Sequence, residues 1–556
     1  MNRKASLLKV VLALILLLLI NGISGWQYTR WDLTEDNRFT LAKPSIEAVN
    51  KLNKPIRIEV LLEGDLPPEF ARLQTETGLL IEQFAQYNPL IGSRFINPLQ
   101  QGPEEANTIE QMQAMGLQPA SVTTEENNRV SQEVVFPWAL ITYGNRTEKV
   151  ALLRNQLGAT MEDRVNNSIQ NLEFSFADAF TKLDIEQKKQ VAILKGNGEL
   201  EDIYLADFIT SLRPYYNIAP FTLDSVGVSP QGTLDGLIDF DAVVIAKPTE
   251  SFTEQEKLVL DQYMVGGGKT LWLLDGAVME LDSLLNQEGE GVALPRDLNL
   301  GDLLFRYGIR LNPDLISDFY ATQIVLATGE GNSSQYNPLP WFYHPMVISP
   351  ENHPVNTNLE ALRMQFASSI DTLENDYTKT VLYASSPLSR REGTPTLISF
   401  DLLQQEPDRA AFAPGNFPLA VLVEGSFASA YRNRVLPAEI SGYRENGPHN
   451  KLMVIGDGDL IANQVQGGRP LELGYDKWTN NFYGNKEFLI NAMNYLLDDT
   501  GLINIRNKRV AIPLMDPEKI AAAKTRWQLM NIGIPLGIIL ILGGLFNWYR
   551  RRSYAA

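Results

Sequence analysis

The chain has 556 residues, 44% of them hydrophobic and 21% charged, with a formal net charge of −18 and no cysteine. These are the figures of a folded protein with roughly two to four domains, and the acidic balance excludes nucleic-acid binding, which needs positive charge concentrated over phosphates. The missing thiol excludes a cysteine nucleophile, disulfides, cysteine-ligated zinc or iron–sulfur centres and an acylated cysteine.

Asn2-Arg3-Lys4 opens the chain, and an apolar run follows from Leu7 to about Ser24, broken only by Lys9 and Asn21. That is long enough to cross a bilayer, which takes about 20 residues, and Trp26, Tyr28 and Trp31 follow at interfacial depth. An uncleaved anchor over residues 1–29 is favoured; a signal peptide processed near Gly22 or Ser24 is the rival.

Residues 30–158 read as a small α/β domain of thioredoxin-like size. The expected order is a helix over Thr40–Leu52, a strand over Ile56–Leu62, a helix over Pro67–Tyr87, a strand over Ser93–Ile96, then hairpin-like runs at Glu133–Tyr143 and Lys149–Leu153. Residues 159–188 form a helical connector, with Ile169, Leu172, Phe176 and Phe180 on one side.

A larger α/β unit spans residues 189–510. Its expected strands are Val191–Leu194, Ala242–Ala246, Thr270–Leu274, Thr396–Phe400 and Leu452–Ile455, and Glu487–Leu497 is a closing helix. Buried runs alternating with amphipathic helices imply a parallel, doubly wound sheet. Between about Glu280 and Pro395 the signals are mixed. Residues 511–528 are a linker, 529–549 a second apolar helix flanked by Trp527 and by Trp548-Tyr549, and 550–556 a basic tail. With Arg550-Arg551-Arg552 at this end and Arg3-Lys4 at the other, the positive-inside rule puts both termini in the cytoplasm and the region between them in the periplasm. Gly533, Gly537 and Gly544 offer a surface for close helix contact.

Within this unit Val265–Gly276 reads VGGGKTLWLLDG, which invites a phosphate-binding loop. Aligned on Gly268-Lys269-Thr270, the pattern G-x-x-x-x-G-K-[ST] needs its first glycine where Tyr263 stands. The order of elements is also reversed. Thr253-Glu254-Gln255-Glu256 fits a capping box, so a helix precedes the glycines and a strand follows them, whereas anion-binding loops run from strand to helix. ATP must then be hydrolysed by another chain.

Ligands of doubly wound sheets sit beyond the carboxyl ends of the strands. Those ends carry Gly196-Asn197-Gly198-Glu199, Lys247-Pro248, Asp275-Gly276 and Gly456-Asp457-Gly458-Asp459. Asn197, Glu199, Asp275, Asp457 and Asp459 are therefore candidates for a cation or polar-ligand cleft, with ordinary turn chemistry as the alternative. No nucleophile with a base can be assembled from them, and His344, His353 and His449 read as loop histidines.

Several stretches resemble a known family: WDLTEDNRFTLA at Trp31–Ala42, VAILKGNGE at Val191–Glu199, and FTEQEKLVLDQYMVGGGKTLWLLD at Phe252–Asp275. VEGSFASAYRNR at Val423–Arg434, SSID ending at Asp371, IGDGDLIAN ending at Asn463 and GNKEFLINAMNYLLDDTGLINIR at Gly484–Arg506 join them. Together they are similar to GldG-like auxiliary proteins, the so-called substrate-binding proteins of the gliding-motility ABC transporter family. The resemblance implies a multi-spanning ABC permease and a cytoplasmic ABC ATPase as partners, two copies of this subunit per complex, and no cofactor. It also implies that the larger unit is class I glutamine amidotransferase-like. That enzyme fold works through a cysteine, which the chain lacks, and Asn197 stands where relatives read the histidine of G-H-G-E. The expected function is thus a non-enzymatic, membrane-anchored periplasmic subunit tied to gliding motility or envelope export. A periplasmic ligand or cell-wall receptor and a hydrolase of unknown class are the alternatives.

Overall fold

A computed structural model describes residues 12, 15, 16, 40–99, 105–126, 129–328, 335–404, 408–498, 501–507 and 517–554. The expected first membrane helix lies, but for Leu12, Ile15 and Leu16, outside the described residues. Contacts divide the chain into a unit of residues 1–509 and a second of residues 510–556.

The chain enters the first unit through α1 (Lys43–Lys51), β1 (Ile56–Val60), α2 (Pro68–Tyr87) and β2 (Ile91–Phe95). α3 (Glu105–Ala114) and a hairpin of β3 (Ala120–Glu126) and β4 (Arg129–Val135) follow, then β5 (Trp138–Tyr143) and β6 (Arg146–Ala151). β2-β1-β5-β6 form one sheet, parallel between β1 and β2 and antiparallel elsewhere. The run expected over Glu133–Tyr143 is two strands instead of one. Pro137 has no N–H to give a ladder, so pairing breaks at Phe136-Pro137 and β5 crosses to β1. α3 and the β3–β4 hairpin carry too little apolar periodicity to be read beforehand.

α4 (Met161–Asp184) is the predicted connector; Thr160 caps it by accepting from the Asp163 N–H. Phe84 of α2 packs edge-on against Phe180 of α4 at 5.0 Å between ring centres, which seals the core of the small sheet. Elsewhere α4 and the segment before it meet the connections and the helix Asn485–Leu497 that flank the larger sheet. Tyr215 donates to Asp178 at 2.8 Å, Lys182 pairs with the same carboxylate, and Arg154 bonds Glu487 and the Asn358 carbonyl.

The larger sheet has the order Thr378–Ala384, Pro418–Ala428, Asn446–Ile455, β10, β9, β7, β8, where β7 is Gln190–Lys195, β8 Asn217–Thr222, β9 Ala242–Ala246 and β10 Lys269–Leu273. Asn446–Ile455, β10, β9 and β7 run parallel, as expected, and β8, which the sequence did not announce, joins them; Pro418–Ala428 runs antiparallel to both of its neighbours, Asn446–Ile455 and Thr378–Ala384. The sheet is therefore mixed, because no helical crossover separates Pro418–Ala428 from Asn446–Ile455. α5 (Asp202–Leu212), α6 (Pro230–Ile238) and α7 (Glu254–Val265) supply the crossovers, and the helix Asn485–Leu497 packs on the α5 side. Thr396–Phe400 does not join this sheet. Thr396–Ser399 pairs with β12 (Glu290–Pro295), which pairs with β11 (Ala277–Val278), and of its four residues Ile398 alone is buried while Leu397 is exposed, so its apolar run marks one covered face, not two.

α7 has the predicted capping box, with Glu256 N–H donating to Thr253 Oγ1 at 3.3 Å and Thr253 N–H to Glu256 Oε2 at 2.6 Å. The glycines end the helix as expected, though only Gly267, at φ +108°, takes the conformation reserved for glycine. A side chain at Gly268 would meet the Tyr263 ring at 2.2 Å. GGGK is thus a packed helix end feeding β10.

The second unit contains a helix over Pro517–Tyr554, of which Ala523–Arg552 is long and apolar enough to cross a membrane. Pro535 lies inside it, and an added Cβ at Gly533, Gly537 or Gly544 would meet nothing within 4 Å.

Candidate functional site

Parallel strands bring their carboxyl ends to one edge, and the chain leaves β7 to opposite sides, toward β8 and later β9, which makes that edge a topological switch point. Lys247 follows β9 there in a left-handed conformation, φ +53°, a strained position for a residue with a side chain. Its N–H is held by the Leu273 carbonyl at 2.9 Å. The strain aims a buried ammonium into a ring of carboxylates. Nζ lies 2.6 Å from Asp459 Oδ1, 2.7 Å from Glu280 Oε1 and 4.0 Å from Asp275 Oδ2.

Backbone donors fix those carboxylates. Gly458 N–H donates to Asp275 at 2.6 Å, and Asp457, which is fully buried, accepts from Asp459 N–H at 2.7 Å and Gln365 N–H at 2.8 Å. Gly458 is required here, because a Cβ would lie 2.5 Å from Lys247 Cγ. Burial, and then Asp459, push Asp275 up to about 7. The same causes hold Asp457 well above and Glu280 above the ordinary carboxylate range. Burial opposes the charge on Lys247, but Asp459, Asp275 and Glu280 outweigh it and raise its pKa.

Asp275, Asp457 and Asp459 therefore converge as the sequence suggested. Asn197 and Glu199 do not join them through any hydrogen bond or ion pair among the described residues. The Asn197 carbonyl accepts from Thr249 and Glu250 N–H, its side-chain amide donates to Glu256 at 3.4 Å, and its N–H donates to Glu199 Oε2 at 2.8 Å. This loop thus braces the start of α7. Two members of the ring escaped sequence reading. Glu280 sits beyond a two-residue strand with no motif, and Lys247 was visible as a strand-end residue but not as the centre of the ring.

Asp275, Glu280 and Asp459 place carboxylate oxygens close enough together to ligate a metal, a donor set suited to Ca2+. Lys247 Nζ already supplies the positive charge there. The ring is a cation site occupied by the protein's own side chain. Cavities of about 460, 400, 650 and 180 Å3 are lined by other residues, the first beneath Gly266–Lys269 at the amino ends of the strands and the others along the small unit and α4. Nor are the histidines loop residues throughout: His344 is fully buried on a strand against Phe366, and His449 lies on Asn446–Ile455.

Among solved structures, the mmIFT52 N-terminal domain is similar at 15% identity and a TM-score of 0.32, covering 56% of this chain and 98% of that one. A ThuA-like protein from Parabacteroides merdae is similar at 10% identity and a TM-score of 0.27, covering 59% of this chain and 93% of that one. No curated protein matches the chain. Residues 35–142 match a domain of unknown function, DUF7088. Residues 188–492, more than half of the chain and the whole of the larger sheet, match the family ABC_transp_aux, described as an ABC-type uncharacterized transport system. The chain belongs to this family of ABC transport auxiliary proteins.

Proposed function

We propose that the chain is a non-enzymatic, membrane-anchored subunit of an ABC transporter complex, placed on the periplasmic side and working with a multi-spanning permease and a cytoplasmic ATPase. Family membership supports the transporter association. The observation that carries the non-enzymatic reading is Lys247: its ammonium fills the centre of the acidic ring, where a metal or cationic ligand would bind. In this reading residues 30–158 and 189–510 are the thioredoxin-like and amidotransferase-like domains, joined by 159–188 and held by anchors at 1–29 and 529–549. The GldG-like resemblance adds two copies per complex and a link to gliding motility or envelope export. Packing of the glycines at 533, 537 and 544 against permease helices is part of the same reading.

A ligand receptor is the second reading. One observation favours it: Asn197 Oδ1 and Glu199 Oε1 are buried acceptors without a hydrogen-bond partner.

Cysteine accessibility tests the placement, and the natural absence of cysteine makes it clean. Ala5→Cys and Ala555→Cys are expected to resist an impermeant thiol reagent in intact spheroplasts, while Gln132→Cys reacts. Labelling at both ends would overturn the topology.

A further inference from the structure

The face of a small sheet that points away from its core is ordinarily polar. The sheet β11–β12–Thr396–Ser399 breaks that rule. Its inner face is conventional, with Ala277, Ala293 and Ile398 buried in one cluster with Leu315 and Trp341. On the outer face Val292 stands opposite Leu397, and Leu294 opposite Val278. These four side chains are 55%, 58%, 50% and 42% exposed, respectively. Pairing register, not chance scatter, makes them neighbours. Thr396–Ser399 is also an edge, since among the described residues it pairs with β12 alone.

We propose that this face docks an extended segment of a partner protein, with aliphatic residues at alternate positions and Lys or Arg at one end. An open strand edge beside an apolar face is the geometry of strand addition, in which backbone bonds bind and alternate side chains select. Charge fixes the polarity of the segment. Where Glu290 pairs with Ser399, exposed Glu288 precedes the one and exposed Asp401 follows the other, so that end of the face is acidic. The same charge disfavours two other occupants. A second copy of this chain, itself at −18, would bring like charge to the contact, and an anionic lipid surface would be repelled. Size points the same way: four half-exposed aliphatic side chains make a patch of a few hundred Å2, short of the ~800 Å2 per partner of a standard stable interface.

The test uses the full chain in zwitterionic nanodiscs and needs no transporter, so its outcome is separate from that of the proposed function. The probe is a fluorescein-labelled peptide of two lysines followed by alternating valine and threonine, read by anisotropy. The wild-type chain is expected to bind it better than a peptide ending in two glutamates. The triple variant Val292→Thr, Leu294→Thr, Leu397→Thr should bind about tenfold more weakly, a loss of about 1.4 kcal/mol, with its circular dichroism unchanged. Glu288→Lys with Asp401→Lys, which leaves the apolar residues in place, should reverse the preference between the two peptides. Equal binding by the triple variant, or no reversal by the charge variant, would overturn the proposal. So would a wild-type chain that ignores both peptides, whether it forms dimers the triple variant loses or adsorbs to anionic vesicles through the same residues.

Discussion

Lys247→Ala is expected to destabilise the larger unit by about 3–5 kcal/mol at neutral pH, the cost of leaving buried charges without their partner. The loss has a defined pH dependence. Folding raises the pKa of Asp275 to about 7, so the folded state holds a proton that the unfolded state releases near pH 4. The stability tied to that proton is fully present below the unfolded value and is lost as pH rises from about 4 to about 7. Without the ammonium the carboxyls bind protons more strongly still. The deficit of Lys247→Ala should therefore be largest above pH 7 and shrink in acid. Asp275, Glu280 and Asp459 place their carboxylate oxygens close enough together to share one cation, so Ca2+ taking the place of the ammonium, at about a hundred times its dissociation constant, should return about 2.7 kcal/mol to the variant, with no such gain in the wild type. Thermal unfolding at pH 5 and pH 8, with and without Ca2+, reads all of this. Equal stability of variant and wild type at pH 8 would show that the lysine is not holding the ring together.

Asp261→Ala should be of similar size, about 3–5 kcal/mol, because one carboxylate satisfies four donors. Asp261 is fully buried in α7 and accepts from Ser429 Oγ at 2.6 Å, Ala430 N–H and Tyr307 Oη at 2.8 Å each, and Gln262 Nε2 at 3.0 Å. Alanine takes the acceptor from Ser429, Ala430 and Tyr307 in a buried place, while Gln262 keeps the Arg444 carbonyl at 3.1 Å. Asp261→Asn keeps one acceptor oxygen and should lose less. Hydrogen exchange at the α7 amides is the suitable measurement, since it isolates local opening in a chain of several units. Exchange in Asp261→Ala as slow as in wild type would mean that the network contributes nothing.

These two residues also show what the sequence made legible. Four of the five parallel strands were visible because each carries a run buried on both faces that reads as unbroken and apolar, as in AVVIA at Ala242–Ala246; β8, at the sheet edge and with no fully buried residue, was not. The capping box of α7 was legible because its partners are three residues apart. The antiparallel edge was not, because pairing of Pro418–Ala428 with Asn446–Ile455 depends on register across a long connection. Three of the five candidate cleft residues converged, since strand ends are fixed by topology. Asn197 and Glu199 went elsewhere because their loop bends toward Thr249 and Glu256, a choice set by side-chain bonding that no spacing announces. Asp261 lies in LVLDQY, and its partners Ser429 and Ala430 lie in SFASAY. Both stretches carried the resemblance, and the structure joins them: one supplies the acceptor for donors of the other.

Affinity purification of the intact chain from membranes, with mass spectrometry of what remains bound, decides whether it works as a transporter subunit. A multi-spanning ABC permease and an ABC ATPase are expected in a constant ratio to the chain, retained in full by Lys269→Ala and reduced by Gly537→Leu, since bulk at the helix surface disturbs close packing. Recovery of the chain without any ABC component, under conditions that keep other membrane complexes whole, would contradict that role.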